Sequence, residues 1–208
     1  VRMGNMARID RQPRTRLDPD ARRAAILAAA AEAFAAHPYA EVTVSSIAQR
    51  VGTSDALLYR YFSGKEELYA EIVRLAIDSL LARQGAALAS LAPGVPARDR
   101  LLAATRVYLD HIASHPSAWA MPLRNPGTEP SAVAAIRLEA RHDYVNRLAA
   151  ILAPSTLARH DYALWGYFGF LDAACLHWVE RDCPEDERSA LLEAALGALE
   201  GALGDWSA

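Results

Sequence analysis

Between Thr43 and Lys65 the chain reads TVSSIAQRVGTSDALLYRYFSGK: hydroxyls, aromatic rings and cations on two short helical patterns either side of a glycine turn. Lys65 is the only lysine among 208 residues, so bulk composition does not account for its place. Such an arrangement is a helix-turn-helix, whose second helix can lie in the major groove of DNA. Its chemistry is recognition rather than bond-making. The motifs of catalysis are missing from the chain: there is no G-x-S-x-G, no Walker-type glycine loop, no H-E-x-x-H and no partnered cysteine pattern, so no enzyme activity and no cofactor is expected.

The elements that must hold this stretch follow from residue types. Thr43 is a good N-cap, and Ser46 stands where a full capping box has Glu or Gln, so the box reads as partial. Ile47, Ala48 and Val51 fall on one apolar face, and Gly52 suits the left-handed position that ends a helix. Thr53 or Ser54 can cap the next helix, on which Leu58 and Phe62 face inward. An ordinary pair of surface helices satisfies the same rules, and the turn alone does not choose. Upstream, Asp18-Pro19 is a helix start, and the run from Pro19 to about His37 carries Ile26, Ala30, Ala33 and Phe34 on one stripe. Three helices with a shared apolar interior make a compact head.

On these residues the chain closely resembles the tetracycline-repressor (TetR) family of bacterial transcription regulators. The matching residues are Ile26, Ala29, Ala30, Phe34, Thr43, Ile47, Ala48, Gly52, Ser54, Leu58, Tyr59, Phe62, Lys65, Glu66 and Leu68, in the family's order and spacing across roughly residues 22–70. The resemblance implies that Thr43, Ser54, Tyr59, Tyr61 and Lys65 hold phosphates while Ser45, Asp55, Ala56, Leu57 and Arg60 face base edges. Arg60 could then donate two bonds to a guanine, Leu57 meet a thymine methyl and Asp55 accept from a cytosine amine. The chain also departs from the family pattern. His37-Pro38-Tyr39 replaces a Gly-Tyr turn, Ala56 and Leu57 stand where Gly and Thr are frequent, and Asp55 puts an acid at the tip of the recognition helix. These departures bear on the target sequence, not on the fold.

Charge divides the chain in the same place. Residues 1–65 hold ten Lys and Arg against six Asp and Glu, a net of +4, while the remaining 143 residues carry −7. A basic end on a mildly acidic protein suits contact with DNA at that end only. The expected organisation is a flexible basic arm over 1–17 with Arg8, Arg11, Arg14 and Arg16, a DNA-binding head over 18–65 and a helical body over 66–208. The absence of a leader pattern and of any apolar run of about twenty residues predicts a cytoplasmic protein without membrane contact. Cys175 and Cys183, eight apart with one beside Pro184, are expected to be reduced.

Beyond Lys65 every pattern is helical, and the fold class is all-α. Helices are predicted from Lys65 to about Leu88 with Leu68, Ile72, Leu75 and Leu80 inward, Ala97 to Ser114, Ser131 to Ala153 closed by Pro154, Thr156 to Asp182, and Glu185 to about Leu203. A loop or short helix runs through Pro116, Trp119 and Pro122, and RNPGTEP over 124–130 reads as a loop. Gly166, Gly169 and Ala173 line one side of the penultimate helix, and Gly197 and Gly201 sit four apart on the last. Small residues let helix axes approach closely, either within the chain or between two chains. The resemblance favours the second, since family members dimerise through their last two helices as a four-helix bundle.

A small-molecule effector is the remaining expected partner, again by resemblance. Tyr108, His111, Trp119, His142, Trp165, Phe168 and Asp172 are the candidate contacts, together with Met121 and Tyr144, although an aromatic at helical spacing is more often core. Asp172 interrupts an apolar stretch and needs a partner, either an Arg or His of a neighbouring helix or a cationic ligand. His111 and His115 have metal-like spacing but lack further ligands, so no metal is expected. The reading is a homodimeric regulator, a repressor on a palindromic operator released by a small molecule. The alternative is a helical protein-interaction module that never touches DNA.

Overall fold

The computed structural model describes residues 18–152 and 155–204, and all regular structure among them is helical. The arginines of the arm at 1–17 and the helix stop at Pro154 lie outside the described residues. Helix α1 spans Pro19–Ala36 and buries Ile26, Ala30, Ala33 and Phe34, the predicted stripe. A 3-10 turn at Tyr39–Glu41 leads to α2, Val44–Arg50. The cap of α2 is more complete than the sequence suggests. Ser46 N donates to Thr43 Oγ1 at 3.1 Å, and Thr43 N donates to Ser46 Oγ at 3.3 Å. Serine therefore closes the reciprocal box that Glu or Gln usually closes.

Gly52 takes φ +64°, and the chain turns there into α3, Asp55–Leu58, whose N-cap Ser54 accepts from Leu57 N at 3.3 Å. Leu58 and Phe62 are buried in the head. Helix α4 then runs from Lys65 to Ala89, about 37 Å at 1.5 Å per residue. Its first three turns bury Leu68, Tyr69, Ala70 and Val73 in the apolar core of the head, which also takes in Val133 from α7. Farther on, Leu80 and Leu88 pack against a second core. Leu75, expected inward, is 47% exposed. It shares a stripe with Leu68, but at this level α4 packs on the head's core through Ile72, Val73 and Ile77, on other sides of the helix.

The body consists of α5 (Ala97–Ser114), α6 (Pro116–Arg124), α7 (Ser131–Ile151), α8 (Ala158–Glu180) and α9 (Arg188–Leu203), with a 3-10 turn at Glu185–Glu187 before α9. Leu101, Leu109, Ile112, Leu148, Leu164, Leu171, Trp178, Leu192, Leu196 and Leu199 close its core. Cys175 is buried, Cys183 is half-buried at the α8–α9 turn, and neither forms a disulfide. No helix among the described residues is long and apolar enough to cross a membrane.

Candidate nucleic-acid interface

Helices α2 and α3 present one face to solvent. Thr43, Ser45, Ser54, Ala56, Tyr59 and Arg60 are exposed, whereas Asp55, Leu57, Tyr61 and Lys65 are half-buried. The local reason is the packing beneath: Ile47, Ala48 and Leu58 fill the head's core with the opposite side of their helices outward, and Phe62, expected on the same helix as Leu58, reaches that core from the turn after α3, which ends at Leu58. Tyr59 is 53% exposed, and Arg60 makes no hydrogen bond or ion pair among the described residues, so its guanidinium is available to a partner.

Five of the polar residues are engaged within the head. Thr43 and Ser54 use their oxygens as acceptors in the caps, which leaves each hydroxyl proton to donate to a phosphate. The Asp55 carboxylate accepts from Ser45 Oγ through Oδ2, tying α3 to α2. An acid at this tip thus starts with one oxygen already bonded. Lys65 Nζ donates to Tyr39 O at 2.8 Å and Val42 O at 3.0 Å, and stands 4.1 Å from the Tyr39 ring centroid. Partial burial lowers its proton affinity. Two of its three N–H donors are spent on the backbone just before α2, and one remains for an external anion.

The candidate effector residues do not form a single group. Tyr108, Trp119 and Phe168 converge with Tyr144: Trp119 Nε1 donates to Tyr108 Oη at 3.0 Å, the Tyr108 and Tyr144 rings lie 6.1 Å apart, and Tyr144 meets Phe168 edge-on at 5.1 Å. Asp172 joins them through Arg141, which donates to it at 2.7 Å and stacks 4.7 Å over Phe168. Burial pushes the Asp172 carboxyl up to about 6, and the half-exposed guanidinium beside it pulls only part of the way back. The partner Asp172 needs is therefore an arginine of α7. His142 is exposed on α7, where it faces Leu138 O and meets Trp165 edge-on at 5.0 Å, apart from this group. His111 turns to Arg83 of α4, whose guanidinium sits 2.9 Å from Nδ1. Burial, with Arg83 and His115 nearby, brings that imidazole down to about 4, so it is neutral at pH 7.

Sequence reasoning missed Arg141, Gln84 and Tyr167. Gln84 is buried on α4 and donates to Ala104 O at 3.0 Å, while Tyr167 Oη pairs with Thr105 at 2.9 Å. Tyr144 Oη is buried beside the Gln84 side-chain amide with no hydrogen bond of ordinary geometry among the described residues, and burial raises its pKa far above the usual phenol range, so it remains a proton donor. Two surface clefts, of about 310 and 390 Å³, lie elsewhere. One is lined by Pro116, Arg124 and Cys183 and the other by Asn146, His160 and Leu164, so neither contains the candidate residues.

Gly166, Gly169 and Ala173 of α8 and Gly197 and Gly201 of α9 are all exposed. A Cβ built on any of the four glycines meets nothing within 4 Å. Close packing among the described residues therefore does not require them.

A capped helix-turn-helix with an exposed, unpaired arginine, mounted on a long helix that enters a helical body, defines a DNA-binding regulator. Comparison with known proteins agrees. The family model described as bacterial regulatory proteins, tetR family, matches residues 26–72. The HTH-type transcriptional activator FasR of Mycolicibacterium smegmatis is 30% identical over 179 residues, 85% of this chain and 80% of that protein. A TetR-like transcriptional regulator from Rhodococcus sp. RHA1 superposes with a TM-score of 0.72 at 23% identity, covering 91% of this chain and 100% of that one. FadR of Bacillus subtilis, solved in complex with stearoyl-CoA, gives 0.67 at 21% identity, covering 86% and 96%. The chain belongs to the tetR family of bacterial regulatory proteins, a family of transcriptional regulators.

Proposed function

We propose that this regulator binds a palindromic operator as a homodimer and is released from it by a small apolar molecule, acting as a repressor. The observation that carries the DNA reading is the exposed face of α2, α3 and the turn after α3, where Arg60 is unpaired among the described residues, with Lys65 at the start of α4 keeping one donor. Ser45, Asp55, Ala56, Leu57 and Arg60 face bases in this reading, and Thr43, Ser54, Tyr59, Tyr61 and Lys65 hold phosphates. Dimerisation through α8 and α9 is supported by glycines that are exposed and unused within the protomer. A two-fold dimer lets two small heads engage two half-sites about one helical turn apart.

For the effector, the cluster of Tyr108, Trp119, Tyr144 and Phe168 favours an apolar molecule, and the Tyr144 hydroxyl, still a proton donor beside Gln84, can bond an oxygen on it. Because Arg141 already neutralises Asp172, a cationic effector is not needed to explain that acid. The likeness to FadR, bound to stearoyl-CoA, supports an acyl compound as the first class to test. The name of the Mycolicibacterium smegmatis relative supports a second reading of the sign, activation in place of repression. Transcription in vitro from the chain's own upstream promoter, with and without acyl-CoA, separates them. Repression relieved by ligand supports the first reading, and stimulation that the protein itself provides supports the second.

A further inference from the structure

The boundary between head and body holds a polar cluster that none of the roles above uses. Glu129, in the loop between α6 and α7, accepts from Arg137 of α7 with both oxygens: Nε reaches Oε2 at 2.9 Å and Nη2 reaches Oε1 at 3.0 Å. Tyr69, one turn into α4 from Lys65, donates its hydroxyl to Glu129 Oε1, and Arg137 Nη2 lies 3.4 Å from that same hydroxyl. The Glu129 side chain is only 11% exposed and that of Arg137 34%. A desolvated acid between a cation and a phenol is held in one geometry, since removing the cation leaves its charge without compensation and removing the phenol takes a donor from one of its oxygens. Burial and the adjacent Glu129 push the Tyr69 phenol up to about 12, so it stays a donor.

From Tyr69 the contacts continue toward the DNA-facing end. Its ring lies 4.5 Å from Phe34 and 5.2 Å from Tyr39, and Tyr39 lies under the Lys65 ammonium. Lys65 in turn grips the carbonyls of Tyr39 and Val42, and Val42 immediately precedes the cap of α2. On the other side, α7 places Val133, fully buried, and Ile136 in the head's own core. One turn beyond Arg137 the same helix carries Arg141, which pairs with Asp172.

We infer that Tyr69, Glu129 and Arg137 form a clamp that positions the reading head on the body through α7, so that the clamp sets operator affinity without touching DNA. This rests on the DNA-binding reading above and adds the residues that fix the head's orientation. The three side chains are positioning residues. A closed clamp holds α4 and the start of α2 in one relation to α7, and a displacement of α7 from the effector side would open it. Two half-sites at a fixed spacing make a dimer sensitive to that relation, whereas random DNA, held by charge, is not.

The test uses the full chain with Tyr69→Phe, which keeps the ring in its stack and deletes the hydroxyl, together with Glu129→Gln and the double variant. Binding is measured by anisotropy on the operator recovered with the wild type and on random duplex DNA. Thermal melting and amide exchange are followed without DNA. Each single variant is expected to bind operator about tenfold more weakly, with random-DNA affinity and salt slope unchanged. The double variant is expected to be no worse than the weaker single one, because both changes break one link. Amides of α2 and α3 should exchange faster while those of α8 and α9 do not. Unchanged operator affinity, an equal loss on random DNA, or unaltered exchange in α2 and α3 overturns the clamp. A wild type that selects no operator sinks the DNA-binding reading instead, and the exchange measurement still decides whether the clamp holds the head.

Discussion

Lys65 stands 4.1 Å above the ring of Tyr39 and donates to that residue's carbonyl at 2.8 Å, so the chain's one lysine fastens the corner after α1 to the start of α4. A residue placed like this serves two ends, the head's integrity and an external anion, and a substitution reports on both. Lys65→Ala is expected to weaken binding to operator and random DNA alike, with the salt slope flatter by about one unit per half-site. It is also expected to lower the melting temperature, because two carbonyls lose their charged donor. Unaltered salt dependence alongside lower stability would assign Lys65 to the fold alone.

Arg60 differs in having no partner among the described residues. Arg60→Ala is expected to leave melting unchanged and to cost roughly 1–3 kcal/mol per half-site on the operator, with relaxed preference at one base pair. Affinities for an operator series permuted at each position check this. Equal losses on specific and random DNA would move Arg60 from base reader to phosphate contact.

The helix-turn-helix was legible because it is built from rules that span a few residues. Thr43, Gly52 and Ser54 punctuate it, and Ile47, Leu58 and Phe62 are buried as their spacing requires. Even here the residue type understates Ser46, because a serine closes the reciprocal cap that Glu or Gln usually closes. The clamp was not legible. Tyr69 meets Glu129 across 60 residues and Arg137 across 68, and no periodicity in α4 or α7 encodes that meeting. Its loop, RNPGTEP, was readable only as a loop. Asp172 announced its need for a partner, but Arg141 is one of many arginines, and only packing selects it. The effector residues were the least legible, because aromatic composition does not tell a shared cluster from His142 and Trp165 pairing apart from it.

Gly169→Leu and Gly201→Leu separate the dimer from the fold. A Cβ at either position meets nothing within the protomer, so each variant is expected to retain its helical content. The added bulk should force apart helices that meet across a two-fold axis. Sedimentation at micromolar concentration is expected to show a wild-type dimer and a larger monomer fraction in each variant. A wild-type monomer contradicts the dimer, and variants that remain fully dimeric move the interface off α8 and α9.

Asp172 gives stability a definite pH dependence. Its folded carboxyl titrates near 6, above the unfolded value, so between these two values the folded state holds a proton that the unfolded state does not. Its contribution is therefore gained as pH falls through 6 and lost as pH rises through it. Relative to Asp172→Asn, the wild type should gain roughly 2–4 °C in melting temperature between pH 7.5 and pH 5. A parallel response of the two proteins would show that Arg141 holds Asp172 ionised throughout.

The central claim, a dimer that reads DNA through α2 and α3, is tested most directly by incubating the purified protein with fragmented genomic DNA and sequencing what it retains across a salt series. The expected result is enrichment of a two-fold symmetric site, bound by two protomers, that persists at salt concentrations releasing random fragments and is lost with Arg60→Ala. Retention without sequence preference at every salt concentration, or no retention at all, would contradict it.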